Sequence, residues 1–103
     1  MYTFTHDNGE VEVLFRPWTV RTYYLLKRNG LEVRSEADCI AAGDLCLANK
    51  VRNGGLKMAC ELYRAGGLGI YNIFDRMDGR LSLERIRFLC EALIDRSLHS
   101  SWD

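Results

Sequence analysis

The chain has 103 residues, of which 48% are hydrophobic and 27% charged, so it is long enough for one folded domain and too apolar for intrinsic disorder. Fourteen basic and fourteen acidic residues cancel, which excludes a general electrostatic attraction to nucleic acid or to an anionic membrane. No apolar stretch approaches the roughly 20 residues that span a bilayer, and the N-terminus lacks a signal-peptide pattern. We therefore expect residues 1–103 to form a single compact, cytoplasmic domain.

The first predicted element is a β-hairpin around an Asn-Gly pair. Residues 2–5 and 10–15 alternate apolar and polar, and Asn8-Gly9 between them tolerates the positive φ that tight turns require. Successive residues of a strand point to opposite faces, so one face of this hairpin is expected to be buried. That face would consist of Tyr2, Phe4, Val11, Val13 and Phe15.

A second Asn-Gly pair, Asn29-Gly30, predicts another hairpin. Its arms would be residues 18–26 and 31–34, which are rich in β-branched and aromatic side chains, so that residues 1–34 form an antiparallel three- to four-stranded β-meander. Tyr23 and Leu25 would lie on the polar side of the third strand, either exposed or covered by another part of the protein. One alternative stays open, because residues 19–30 also fit a helix that ends at a glycine C-cap.

Residues 35–98 predict four to five helices packed on the sheet, so the expected fold class is α+β. Ser35 is the expected N-cap of the first helix. We expect that helix to kink at Gly43, because Asp44 would otherwise fall in a buried stripe. Glycine pairs delimit helices over residues 56–65 and 68–77, and Ser82 caps a last helix that ends at about Leu98. Residues 99–103 are expected to fray.

The sequence shows no pattern that indicates a catalytic or metal site. Cys39 and Cys46 lie seven residues apart without histidine companions, and His6 and His99 are far apart in the chain. We therefore expect the cysteines to be reduced, free thiols, and we predict no catalytic residue, no metal and no cofactor.

Basic and aromatic residues indicate a possible partner-binding surface. Between residues 16 and 34 four arginines and one lysine are opposed by one acidic residue, Glu32. Phe88 lies opposite the apolar stripe of the last helix, which is formed by Leu83, Ile86, Leu89, Cys90 and Leu93. The candidate partner-binding residues are Arg16, Arg21, Tyr23, Lys27, Arg28, Arg34, Arg85 and Phe88.

These observations favour a small non-enzymatic binding protein. We expect it to regulate or inhibit a macromolecular partner, either a protein or a protein–nucleic acid complex, by occupying its surface, and a homodimer is also possible. Small neutral proteins without catalytic groups are common among regulators and inhibitors, including those of phages and other mobile elements, so a protein of that type is the general expectation.

An alternative is a helix-turn-helix DNA-binding transcriptional regulator that uses residues 56–93. The order of a helix, a glycine turn, a short helix, a turn and a capped helix resembles that of repressor-like domains. The resemblance implies DNA contacts by Tyr71, Asn72, Arg76 and Arg80. The short helix is mostly apolar, however, whereas a recognition helix exposes polar side chains to the groove. An enzyme or a small-molecule sensor is a third and weaker interpretation.

Overall fold

The structure is a computed structural model that describes the backbone of residues 2–99 and the side chains of residues 2–92. Within this range a two-stranded antiparallel sheet precedes five helices, which confirms the α+β class. The strands are β1 (Tyr2–Thr5) and β2 (Val11–Leu14). The helices are α1 (Val20–Arg28), α2 (Glu36–Leu47), α3 (Leu56–Ala65), α4 (Ile70–Met77) and α5 (Leu83–His99). The predicted fraying concerns residues 99–103, of which 100–103 lie outside the described residues.

The turn of the hairpin is one residue longer than an Asn-Gly turn. His6 donates its backbone N–H to the carbonyl oxygen of Glu10 at 2.8 Å, which leaves the three residues 7–9 as the loop. Gly9 takes a positive φ of 87° at the end of this loop. Three-residue loops commonly combine a type I turn with a left-handed residue in this way.

This extra loop residue changes which side chains of β2 face the core. Phe4 pairs with Glu12, whereas a two-residue turn would place it opposite Val13. A shift of one residue exchanges the two faces of a strand. Val11 and Val13, which were predicted to be buried, are therefore 61% and 63% exposed, and Glu12 turns inward instead.

The predicted third and fourth strands are wrong. Residues 20–28 form helix α1, which ends in a Schellman motif: Gly30 has a φ of 66°, and the N–H of Leu31 binds the carbonyl oxygen of Leu26 at 2.9 Å. The alternative of a helix with a glycine C-cap is therefore the correct one. Residues 31–34 belong to no strand, so the described part of the chain contains a hairpin and not a meander.

A distant carboxylate stabilises the start of α1. Glu61 of α3 is buried, and its carboxylate accepts hydrogen bonds at 2.9 Å from the backbone N–H and the hydroxyl of Thr19 and from the hydroxyl of Thr22. A negative charge at a helix N-terminus is favourable because the free amides there carry partial positive charge. Contacts between residues about forty positions apart thus outweigh the β-propensity of this segment.

Helix α2 is continuous, so the predicted kink at Gly43 is also wrong. Ser35 caps the helix as expected, by accepting a hydrogen bond from the N–H of Asp38. Asp44 avoids the core, since its side chain is 54% exposed and accepts hydrogen bonds from the Tyr63 hydroxyl and from Arg76. The carboxylate of Asp44 is therefore satisfied without a kink in α2.

The core is centred on α3, six of whose ten residues are buried. This helix has the predicted bounds and packs against α2, α4 and α5. In α5 the predicted stripe is buried at Ile86, Leu89 and Cys90, whereas the side chain of Leu93 lies outside the described ones. Ser82 caps α5, as predicted, by accepting a hydrogen bond from the N–H of Arg85 at 3.1 Å.

Candidate binding surfaces

The helical conformation of residues 20–28 brings two of the predicted basic residues together. Arg21, Tyr24 and Arg28 have the spacing of neighbours on one helix face, and all three are exposed. With Leu25 and Asn53 they line a shallow depression of about 410 Å³. We call Arg21, Tyr24 and Arg28 the α1 surface.

The arginines of the α1 surface have no acidic partner within the described residues. Arg21 donates to the backbone carbonyl oxygen of Asn53 at 2.9 Å, which leaves its charge uncompensated. Arg28 makes no side-chain hydrogen bond or ion pair to the described part of the chain. Tyr24 is 44% exposed between them, so an apolar ring lies between two positive charges.

Arg16 is bound to the protein itself. Its guanidinium donates to the carbonyl oxygen of Ala65 at 3.1 Å, lies 4.1 Å from the ring centre of Phe15 and pairs with Glu36 at 3.7 Å. These contacts connect the segment after β2 to the end of α3. The predicted role in partner binding is therefore less favoured for Arg16 than for Arg21 and Arg28.

Lys27 and Arg34 also have acidic partners. Lys27 Nζ lies 3.0 Å from a carboxylate oxygen of Glu12, and Arg34 lies 3.3 Å from Glu32. Both Arg34 and Glu32 are largely exposed, so their pair contributes little to stability. The basic residues predicted as one cluster are thus divided between charge pairs and the α1 surface.

Tyr23 is 3% exposed, so its side chain offers no surface to a partner. Its ring stacks on Phe4 at a centroid distance of 4.1 Å, and its hydroxyl donates to Glu12 at 2.7 Å. His6 Nε2 lies 3.3 Å from both the Tyr23 hydroxyl oxygen and a carboxylate oxygen of Glu12. This polar cluster, together with Lys27, connects the hairpin to α1.

The polar cluster changes the acidity of two of its members. Burial raises the pKa of Glu12, but hydrogen bonds from Tyr23, Lys27 and His6 outweigh this effect, and the pKa lies below its ordinary value. Burial and the neighbouring carboxylate raise the pKa of the Tyr23 hydroxyl. The cluster therefore holds an ionised Glu12 and a neutral Tyr23.

Helix α5 presents an aromatic residue outward, where the sequence pattern places it. Phe88 is 58% exposed, and the guanidinium of Arg85 lies 5.4 Å from its ring centre. A cation at this distance is attracted by the face of the ring. Arg85 and Phe88 form a second exposed pair of the residue types that anchor interfaces.

Two of the four residues proposed to contact DNA are bound to other parts of the protein. Arg76 pairs with Asp44 at 3.0 Å and lies over the Tyr63 ring, and Arg80 donates to the carbonyl oxygen of Leu47 at 2.8 Å. The other two, Tyr71 and Asn72, are exposed, and so are Asp75 and Asp78 nearby. Acidic side chains beside a DNA-contacting helix would repel phosphate.

The described residues contain no group of three or more histidine, cysteine, aspartate or glutamate side chains that could hold a metal ion. The four cysteines are buried and free. Burial raises the pKa of the Cys39 and Cys46 thiols to about 11 and that of Cys60 to about 12, and it also raises the pKa of Cys90. Such thiols are poor nucleophiles near neutral pH.

A groove of about 680 Å³ lies between the hairpin, α1 and the segment that follows α1. We call it the β2 groove. Its lining residues are Glu12, Val13, Leu14, Phe15, Trp18, Tyr23, Leu26, Lys27, Gly30, Leu31, Glu32, Val33 and Arg34. The sequence analysis missed this groove, because it assigned residues 18–26 and 31–34 to strands that would have filled the space. Tyr24 was missed for the same reason.

Comparisons with models of protein families, with curated proteins and with solved structures find no match to this chain. In the described residues, no helix has the length and apolar character needed to cross a membrane.

Proposed function

We propose that this chain is a small non-enzymatic binding protein that regulates or inhibits a macromolecular partner by occupying its surface. The α1 surface carries this proposal. It combines an exposed tyrosine with two arginines that have no acidic partner within the described residues. Tyrosine and arginine are the residue types most often found among the energetic anchors of protein interfaces.

The charge of the α1 surface indicates what it would contact. Two uncompensated guanidinium groups on one helix face are complementary to acidic groups, and each can bind a carboxylate through two parallel hydrogen bonds. The ring of Tyr24 adds apolar area between them. The proposed partner surface is therefore acidic with an apolar centre, and Arg85 and Phe88 on α5 offer a second contact of the same kind.

The proposal is tested by affinity capture from the cells in which the protein naturally occurs, followed by mass spectrometry. The baits are the wild-type chain and the variants Arg21→Ala, Tyr24→Ala, Arg28→Ala and Phe88→Ala. We expect a partner that the wild type retains and that the α1-surface variants lose by roughly tenfold or more, the effect of removing an interface anchor. Melting temperatures should hardly change in Arg21→Ala, Arg28→Ala and Phe88→Ala, because these side chains are exposed. Tyr24→Ala should lower the melting temperature modestly, because its ring makes edge contacts with Phe4 and Tyr23 at centroid distances of 5.9 and 5.2 Å.

Lys57→Ala is the matched control, since Lys57 is an exposed basic residue on α3. Equal retention of the partner by all α1-surface variants would show that the α1 surface is not the interface. Loss of the partner with Phe88→Ala alone would show that the interface lies on α5. Loss of folding in Tyr24→Ala would identify that ring as part of the core.

The DNA-binding alternative has less support, because Arg76 and Arg80 bind Asp44 and Leu47 within the protein. It predicts retention on duplex DNA that weakens steeply as salt rises, since phosphate contacts release counterions. Tyr71→Ala should then reduce retention without unfolding the chain, because Tyr71 is exposed. A chain that binds only a protein should show no such retention.

A further inference from the structure

The β2 groove is bordered by two continuous chain segments. Residues 12–15 and 30–34 line it without interruption, whereas the face of a strand would contribute only alternate residues. Between these borders, Tyr23, Leu26 and Lys27 line the groove at the spacing of one face of α1. The groove thus lies between two continuous chain segments, with one face of α1 between them.

Residues 31–34 have the side-chain alternation of an extended strand. Leu31 and Val33 pack against the core, whereas Glu32 and Arg34 are exposed and pair with each other at 3.3 Å. A period of two is the period of extended chain. The segment therefore shows the alternating exposure of an extended chain, although it belongs to no strand within the described residues.

Both segments have backbone groups available for hydrogen bonding. Among the described residues β2 pairs only with β1, and half of the N–H and C=O groups of a strand point away from its single neighbour. In the other segment, the N–H of Leu31 binds Leu26 and that of Arg34 binds Asp38. The N–H groups of Glu32 and Val33 donate to no group in the described part of the chain.

The side chains of the groove define the character of its occupant. The half-buried side chains of Leu14, Phe15 and Val33 provide apolar surface inside it. The four charged side chains of the lining neutralise one another in the pairs Glu12–Lys27 and Glu32–Arg34. The groove therefore favours an uncharged backbone with apolar side chains at alternate positions, the pattern of an added β-strand.

We propose that the β2 groove binds an extended segment of a partner protein, which pairs with β2 and with residues 31–34 and so adds the strand that the sheet lacks. The inference rests on the proposed function for the class of partner, a protein. It uses a different site, because the α1 surface lies on the other side of α1.

The test uses a library of random short peptides selected against the immobilised wild-type chain. We expect the enriched peptides to alternate apolar residues and to lack proline in their centre. In NMR titrations with an enriched peptide, the amides of residues 11–15 and 31–34 should shift most. The N–H of Glu32 or of Val33 should become protected from hydrogen exchange, because neighbouring amides of an extended chain point in opposite directions and one of the two faces the groove.

Proline substitutions test the backbone contact directly. Glu32→Pro and Val33→Pro each remove an N–H that the described fold does not use, and Glu32→Ala and Val33→Ala are controls that keep it. One of the two prolines should weaken peptide binding by roughly tenfold, while the alanine at the same position has a much smaller effect. Circular dichroism and thermal melting should show that all four variants are folded.

Three outcomes would overturn the proposal. They are a library without enriched peptides, peptide binding that both proline variants retain, and shifts that map to the α1 surface or to α5. Shifts of the groove amides that depend on protein concentration without peptide would identify a second copy as the occupant instead. Arg21→Ala should leave peptide binding unchanged, because Arg21 belongs to the α1 surface. The peptide assay therefore tests this inference, and the capture experiment tests the proposed function, so that each can fail without the other.

Discussion

The hairpin with α1 and the bundle of α2 to α5 are held together in different ways. None of the eight strand residues is buried, and the hairpin is attached to α1 by the ring of Phe4 and the polar cluster around Glu12. In the bundle, α3 alone buries six residues, including Leu62 and Tyr63 at 0% exposure. The bundle thus rests on apolar packing, whereas the hairpin rests on a few specific contacts.

This difference separates the part of the molecule that provides most of the stability from the part that carries the proposed binding surfaces. Apolar burial stabilises in proportion to its area, so the bundle contributes most of the stability of the fold. The hairpin and α1 bury less and expose more, and both the α1 surface and the β2 groove lie in this part of the molecule. The exposed residues of these two proposed binding surfaces can therefore change without loss of the core.

The largest expected effect is the removal of the central aromatic residue of the bundle. Tyr63→Ala should lower the free energy of unfolding by about 3–5 kcal/mol, because it leaves a large cavity and deprives Asp44 of a hydrogen bond. Phe4→Ala, in the half-buried hairpin, should cost only about 1–2 kcal/mol. Urea denaturation measures both. Equal losses would contradict the contrast between the two regions.

A smaller effect is expected when a methyl group is added to the bundle. A Cβ on Gly43 would lie 2.7 Å from Cε1 of the buried Tyr63, so Gly43→Ala should destabilise by a net of about 1–2 kcal/mol although alanine favours helices. The control is Gly69→Ala, which meets open space and should change the unfolding free energy by less than about 0.5 kcal/mol. A stabilised Gly43→Ala variant would show that α2 and α3 adjust their spacing.

The smallest effect concerns the polar cluster and depends on pH. The folded-state pKa of Glu12 lies below its ordinary value, so its carboxylate stabilises the fold above about pH 4.3, and this stability is lost as the pH falls through the folded-state value. Glu12→Gln should therefore cost about 1 kcal/mol near neutral pH, and this cost should shrink as the pH falls below about 4.3. Denaturation of both chains across this range is the measurement. A difference that is independent of pH would mean that the charge of Glu12 is irrelevant.

Local sequence signals were sufficient where an element depends on its own residues. The serines at positions 35 and 82 cap their helices because a hydroxyl satisfies amides within the same turn. The glycine pair after Ala65 ends α3, where Gly67 takes a φ of 90°. The outward position of Phe88 follows from helix periodicity alone.

Local signals were misleading where distant residues decide the conformation. Residues 19–28 have the β-branched and aromatic composition of a strand. The helix is stabilised at its start by Glu61, which accepts hydrogen bonds from Thr19 and Thr22, and by the local cap in which the Thr19 hydroxyl accepts from the N–H of Thr22. Gly43 suggested a kink, but the ring of Tyr63 requires a residue without a side chain there. Glu61 and Tyr63 are far in the chain from the residues they contact, so the neighbouring sequence does not reveal these contacts.

The sequence by itself determined the α+β class, the existence of the first hairpin, the bounds of α3 and the caps of α2 and α5, because caps, turns and periodicity act over a few residues. The register of the hairpin and the course of α2 at Gly43 were not determined in this way. Only the tertiary structure decided that the predicted second hairpin contains helix α1 instead of a strand. A half-apolar segment takes the conformation that buries its side chains and satisfies its backbone, and both depend on which elements surround it. The α1 surface and the β2 groove both result from the helical conformation of residues 20–28. A helix places Arg21, Tyr24 and Arg28 on one face, and it leaves an open space beside β2 where a third strand was predicted.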